Sequence, residues 1–174
     1  RNVWEQTVAA IADKDKNPHY RGLEIRPQLG LIPLDQDPDT GFFEFAHIQT
    51  GVPPVRDQIT GKLTISEDTG LVFVLLPGGT FRMGSRLPEP DAGISIDDPN
   101  VDPWGGNDHW PPHDVDLDPF FMSKYEMTQG QWLRVAGDNP SNYIPGFRIG
   151  DYETRATLMN PVEMVSWNDC TRIL

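Results

Sequence analysis

Phe73-Val74-Leu75-Leu76-Pro77-Gly78-Gly79-Thr80-Phe81-Arg82-Met83-Gly84-Ser85 is the stretch on which the fold turns. Leu71 to Leu76 is an unbroken apolar run of strand length, which reads as a buried strand. Pro77-Gly78-Gly79 then reverses the chain, because either glycine can take a positive φ at no steric cost. Thr80 to Ser85 returns as a shorter strand, so a β-hairpin is expected across the Pro-Gly-Gly turn. Short pieces of this kind make a turn-rich fold. The composition agrees, with 17 prolines and 16 glycines in 174 residues, well above the ordinary combined share of about 12 per cent.

Upstream, residues 2–13 read as a helix, with Trp4, Val8 and Ile11 on one face. Asp13 and Asn17-Pro18 end it. From Gly22 the pattern becomes β-like. Leu23 and Ile25 alternate with Glu24 and Arg26, Leu29 to Leu34 follow between prolines, and Asp35 to Gly41 is a turn cluster. Phe42 to Ile48 reads as a strand, and Lys62 to Ser66 as another before the turn at Glu67-Asp68-Thr69-Gly70. Residues 1–60 carry no chemical motif and read as a packed leader of one helix and β-hairpins.

Downstream, residues 87–119 are different in kind. Nine Asp or Glu and no Lys or Arg lie between Leu87 and Ser123, with prolines at 88, 90, 99, 103, 111, 112 and 119. Loops this long are usually functional or mobile, and the plainer reading is a solvated acidic loop. Phe120 to Tyr125 reads as a short strand. Thr128-Gln129-Gly130-Gln131 fits a capping box, with Thr128 as N-cap and Gln131 reaching back. Trp132, Leu133 and Val135 should face the core, and Gly137-Asp138-Asn139-Pro140 stops the helix. Asn160 to Val165 reads as extended. Ser166 then caps a last helix, with Asp169 three residues on and Trp167 entering the core.

The charge balance sets limits on partners. A net charge of −12 argues against nucleic acid or an anionic membrane, because phosphate binding needs clustered Lys and Arg. One cysteine allows no intrachain disulfide, and no apolar run approaches a membrane span. The chain starts at Arg1 and stops at Leu174, one turn into a helix, so it reads as an excerpt of a longer protein whose last helix lacks packing partners.

Three stretches, taken in order, resemble the formylglycine-generating enzyme or sulfatase-modifying-factor family. The first is Phe73 to Ser85, matching that family's Pro-Gly-Gly and Phe-x-Met-Gly. The second is Pro112-His113-Asp114-Val115-Asp116-Leu117 leading through Phe120 to Lys124-Tyr125-Glu126-Met127-Thr128, which is similar to Pro-x-His-x-Val-x-Leu and Lys-Tyr-Glu-Val-Thr. The third is Pro161-Val162-Glu163-Met164-Val165-Ser166-Trp167-Asn168-Asp169, similar to Pro-Val-x-x-Val-Ser-Trp-x-Asp. The resemblance covers residues 70–174. It implies an α+β, C-type-lectin-like fold, here truncated, with residues 61–174 as the N-terminal part of the domain behind the 1–60 leader.

In a complete domain the resemblance implies oxidation of a sulfatase cysteine to formylglycine. That chemistry uses molecular oxygen, copper and a pair of cysteines, with calcium-binding loops nearby. The cysteine pair and those loops belong to the family's second half, so these 174 residues are expected to be inactive alone and to hold neither copper nor calcium. The implied partner is a cysteine-containing sulfatase peptide or another protein. The alternative is a non-catalytic, lectin-like binding module of a bacterial multidomain protein, in which such domains are often joined to kinase domains. A third relative, the ergothioneine-type sulfoxide synthases, needs a His-x-x-x-His-x-Glu set that is absent here.

Gly78, Gly79, Phe81, Met83, Gly84, His113, Phe120, Tyr125, Glu126, Thr128, Trp132, Pro161, Val162, Ser166 and Trp167 match the family signature and are read as architectural. A buried carboxylate at Glu126 would need a partner such as Lys124. Cys170 reads as a small packing residue, not a catalytic thiol. His109 and His113 are four apart, but Pro111 and Pro112 between them forbid a helical zinc site. Asp98 to Asp102 begins like a calcium loop, then has Pro103 and His109 where an EF-hand needs Gly and Glu. Trp104 and Trp110 are the candidates for ligand contact. The competing reading is that they pin the acidic loop to the core.

Overall fold

A computed structural model describes residues 3–106, 109–150, 152–153 and 155–173. The sequence helix begins at residue 2, outside that set. Helix α1 (Val3–Ala12) is followed by β1 (Leu31–Gln36), β2 (Phe43–His47), β3 (Val55–Arg56), β4 (Leu63–Thr64) and β5 (Val72–Leu76). Then come β6 (Gly79–Met83), β7 (His113–Leu117), β8 (Phe120–Ser123), α2 (Gln129–Ala136), β9 (Arg148–Ile149), β10 (Tyr152–Glu153) and α3 (Trp167–Ile173). The mixture of helices and antiparallel sheets is α+β. Two compact units divide the chain, one of Arg1–Leu76 with Phe121–Leu174, the other of Pro77–Phe120.

In the first unit the main sheet has the order β1-β2-β5-β8. Its core is Ile11, Tyr20, Phe43, Phe45 and Leu75. Trp4 of α1 stacks on Phe45 with ring centroids 5.2 Å apart, and Phe121 meets the same ring edge-on at 5.2 Å. Tyr20 ties the layers together. Its hydroxyl donates to the Leu75 carbonyl at 2.9 Å and accepts from the Phe43 amide at 2.9 Å. Burial pushes this phenol up to about 12, because the charged form would lose its hydration.

Several sequence expectations change at this level. The Pro-Gly-Gly turn is not a hairpin. In the sheet order β5 lies between β2 and β8, so it has no free edge for β6. Instead β6 pairs with β7, with Gly79 opposite Leu117, Phe81 opposite Val115 and Met83 opposite His113. Residues 113–117 are therefore strand, not acidic loop. Residues 23–26 alternate as expected but find no ladder partner. The strand expected from Leu29 starts at Leu31 and runs through Pro33, which is tolerated because β1 is an edge strand.

Helix α2 has the expected capping box. Thr128 Oγ1 accepts from the Gln131 amide at 3.2 Å, and Gln131 Oε1 accepts from the Thr128 amide at 2.9 Å. Trp132 is buried, but Leu133 is exposed and Val135 only half-buried, because the buried face is the first turn, Gln129 to Trp132. Those glutamines are satisfied: Gln131 Nε2 donates to the Thr69 carbonyl at 3.0 Å and Gln129 Nε2 to the Tyr143 carbonyl at 3.1 Å. Thr128→Ala leaves the Gln131 amide without its acceptor. We expect about 1 kcal/mol of lost stability in urea unfolding, with faster amide exchange in the first turn of α2.

Ser166 and Asp169 form the second box, each accepting from the other's amide, at 3.2 and 2.9 Å. Trp167 does not enter the core. It is 77% exposed, while Cys170 and Ile173, three apart, share the inward face of α3. Phe81, Phe120 and Trp167 all lie outside the buried cluster. Glu126 is also exposed. The fully buried carboxylate is Glu44, which pairs with Arg56 and Lys124; Lys124 Nζ also reaches Asp37 Oδ2 at 3.0 Å.

Candidate functional site

The unit formed by Pro77–Phe120 is where the two candidate tryptophans lie. Its frame is the β6–β7 ribbon, and two glycines are required there. Gly78 has φ +72, and a Cβ on it would sit 2.4 Å from the Leu117 carbonyl oxygen. Gly84 has φ +90, and a Cβ on it would sit 2.5 Å from the His109 carbonyl oxygen. The chain after β6 thus passes against the backbone that leads into Trp110. The Ser85 amide donates to that same His109 carbonyl at 2.9 Å. Any side chain at Gly84 would push the two segments apart.

The acidic loop is held to this frame by backbone bonds. The Arg86 amide donates to the Asn100 carbonyl at 2.9 Å, and the Asp102 amide donates to the Arg86 carbonyl at 3.0 Å. Asn100, at φ 59, turns its amide back and donates to the carbonyls of Arg82 and Gly84, at 3.2 and 3.1 Å. Asparagine tolerates this left-handed conformation better than most residues.

Two hollows open on either side of Trp110. One, of about 290 Å³, is lined by Arg82, Arg86, Pro99, Asn100, Trp110, Pro111 and Pro112. The other, of about 220 Å³, is lined by Ser85, Arg86, Leu87, Glu89, Gly105, Gly106 and Trp110. Trp110 is 56% exposed between them, and Trp104, next to Gly105, is 92% exposed. Neither indole therefore pins the loop to a core. Arg82 Nη1 pairs with Asp114 at 3.0 Å. Among the described residues no carboxylate pairs with Arg86. Among the described residues the buried Ser85 hydroxyl has no hydrogen-bond partner.

The remaining sequence candidates are dispersed. Gly79, Phe81 and Met83 lie on β6, and His113 on β7 is exposed, its Nδ1 donating to the Pro111 carbonyl at 3.0 Å. Tyr125 lies under Lys124 Nζ, 5.8 Å from the ring centroid. Pro161 bridges to Thr128, and the Val162 amide donates to the Met127 carbonyl at 2.9 Å. Cys170 is half-buried and lines a largely apolar cavity of about 520 Å³ with His47, Phe73, Trp132 and Ile173. Sequence reading singled out neither Arg82 nor Arg86, and met Asn100 only inside the calcium-loop pattern from Asp98 to Asp102 that it set aside. The signal was present, since Arg86 is the last cation before the acidic run.

Among the described residues the donor set does not fit the paired-thiolate copper site that the family resemblance implies. The copper site that the resemblance implies draws on a pair of cysteines, and this chain has one cysteine. Among the described residues no three His, Cys, Asp or Glu side chains converge to hold an ion. No helix among them is long and apolar enough to cross a membrane.

Residues 64–172 match the family model described as the sulfatase-modifying factor enzyme 1-like domain. The chain is also 33% identical over 110 residues to a protein named chaperone protein LppX, from Paenibacillus barcinonensis. That alignment covers 63% of this chain and 26% of the relative. The chain thus spans about a quarter of the length of the curated relative it matches. No solved structure matches it.

Proposed function

Since the chain belongs to the sulfatase-modifying factor enzyme 1-like domain family, we propose that it is a ligand-recognition part of a larger protein and does not itself oxidise cysteine. The observation that carries this is Trp110, standing exposed between two hollows that share its indole and the Arg86 guanidinium. A large aromatic face beside convergent polar groups is the usual make-up of a small-molecule site. We read the fold as C-type-lectin-like. Short antiparallel strands, two capped helices and long loops support that reading. The relative's name as a chaperone suits a binding role.

The second reading, oxidation of a sulfatase cysteine to formylglycine, is favoured by the family match alone. It belongs to a whole protein that supplies the cysteine pair, with copper and calcium bound outside these residues. One experiment separates the two. The chain is mixed with a sulfatase-derived cysteine peptide, copper and oxygen, and the peptide is assayed for its aldehyde by hydrazide trapping. In parallel, the chain and its Trp110→Ala variant are titrated with a panel of neutral sugars, acidic sugars and short peptides. We expect no aldehyde, and binding of at least one panel class that the variant loses. Aldehyde formation, or no Trp110-dependent binding across the panel, would overturn the recognition reading.

A further inference from the structure

We infer that the paired hollows around Trp110 take an acidic saccharide, its pyranose ring stacked on the indole and its carboxylate held by Arg86. This rests on the recognition reading above and names the ligand class.

The aromatic component comes first. An indole more than half exposed gives up hydration cheaply to a flat apolar face, and the C–H face of a pyranose is such a surface. The groups around it are polar and spaced for hydroxyls. Asn100 commits its amide nitrogen to two backbone carbonyls, so its Oδ1 remains to accept. Among the described residues the Ser85 hydroxyl in the wall of the second hollow lacks a partner, and a buried hydroxyl without one calls for a ligand group or a bridging water. Two hollows of about 290 and 220 Å³ meeting at one tryptophan suit a short oligosaccharide with a ring in each.

The charge component follows from Arg86. The chain carries −12 overall, and nine acidic residues lie between Leu87 and Ser123. In that company an arginine would ordinarily be paired, as Arg82 is with Asp114. Among the described residues Arg86 is not, although it lines both hollows. A planar guanidinium with its donors open matches a carboxylate in bidentate geometry, which lysine could not do.

A peptide ligand is disfavoured by the backbone. Recognition of an extended peptide draws on free main-chain groups at a strand edge. Here the Ser85 and Arg86 amides and the Gly84 and Arg86 carbonyls are already bonded to His109, Asn100 and Asp102. A sugar needs only the side chains.

The test is calorimetric titration of the whole chain with a glucuronyl-glucose disaccharide, with its neutral counterpart cellobiose, and with a tetrapeptide containing two glutamates. Trp110→Ala and Arg86→Gln are measured beside it, each checked for native circular dichroism. We expect the acidic disaccharide to bind at least tenfold tighter than cellobiose. Arg86→Gln should erase that preference, so that the two sugars bind alike, while Trp110→Ala weakens both tenfold or more. In 1 M salt the acidic preference should shrink, because the pair is partly exposed. Equal binding of the two sugars, or tighter binding of the peptide, in a Trp110-dependent manner sinks the acidic-saccharide inference alone. Binding of none of the three overturns the inference, and the wider panel then decides the recognition reading.

Discussion

Lys124→Met should lower the unfolding free energy by roughly 3 kcal/mol, the low end of the range for breaking a buried ion pair, since Lys124 keeps 23% of its side chain exposed. The loss comes from what is left behind. Glu44, fully buried on β2, would keep only Arg56, and Asp37 would lose its cation. Methionine fills the volume but offers no donor. Adding Glu44→Gln to the variant removes the stranded charge and should restore part of the loss. Urea unfolding of the single and double variants checks this, and a single variant within 0.5 kcal/mol of wild type, the scale of an inert surface change, would show the cluster to be inert.

The same cluster sets a pH dependence. Burial raises the Asp37 carboxyl, but the Asp39 amide and Lys124 outweigh it and hold the group below its ordinary 3.8. A carboxyl lowered by folding adds stability that is present above 3.8 and is lost as pH falls through the folded value. Lys124 runs the other way. Burial opposes its charge, but hydrogen bonds to Glu44 and Asp37 raise it above 10.5. Its contribution is therefore complete below 10.5 and disappears as pH rises through the folded value. In Lys124→Met the acid-side loss contributed by Asp37 should be smaller, because the carboxyl has lost a group that held it below 3.8.

Local signals in the sequence were legible because they act locally. Thr128 with Gln131, and Ser166 with Asp169, each satisfy orphan amides within one turn, so the spacing alone places both helix starts. The apolar runs at 71–76 and 42–48 become β5 and β2 because a strand with neighbours on both edges needs little else. Pairing partners are a different matter. Pro77-Gly78-Gly79 announces a change of direction but not which strand lies next. The partner of β6 begins at His113, beyond the whole acidic loop. Burial of single residues was equally hidden: the carboxylate in the core is Glu44, from a plain strand, and not the motif residue Glu126.

The candidate site was half legible. Trp104 and Trp110 stand out as apolar residues in a polar, proline-rich loop, and both are exposed. The cations beside Trp110 come from the end of β6 and the residues after it. They meet the loop only because Gly84 allows its backbone close to His109 and because Asn100 turns back at φ 59. No spacing rule links Arg86 to Trp110 across that fold-back.

Phe45→Ala should cost about 3 to 5 kcal/mol, the usual range for emptying a buried aromatic site, and it tests whether residues 1–60 are separable from 61–174. Phe45 is fully buried in β2. One ring contact is to Trp4 of α1, inside the leader, and the other is to Phe121 of β8, inside the family match. The backbone joins the two parts as well, since β2 pairs with β5 from Glu44 to Ala46. A cavity at that junction removes contacts from both sides at once. The loss is a large share of the roughly 5 to 15 kcal/mol that holds a domain. If the leader and the family segment unfold together, hydrogen exchange should show the same fall in opening free energy at amides of α1, β2 and β5. Phe45→Leu should recover most of it. A variant in which α1 and β1 open early while β5 and α2 keep wild-type protection would mean two independent folding units, and the boundary expected near residue 60 would then be a real one.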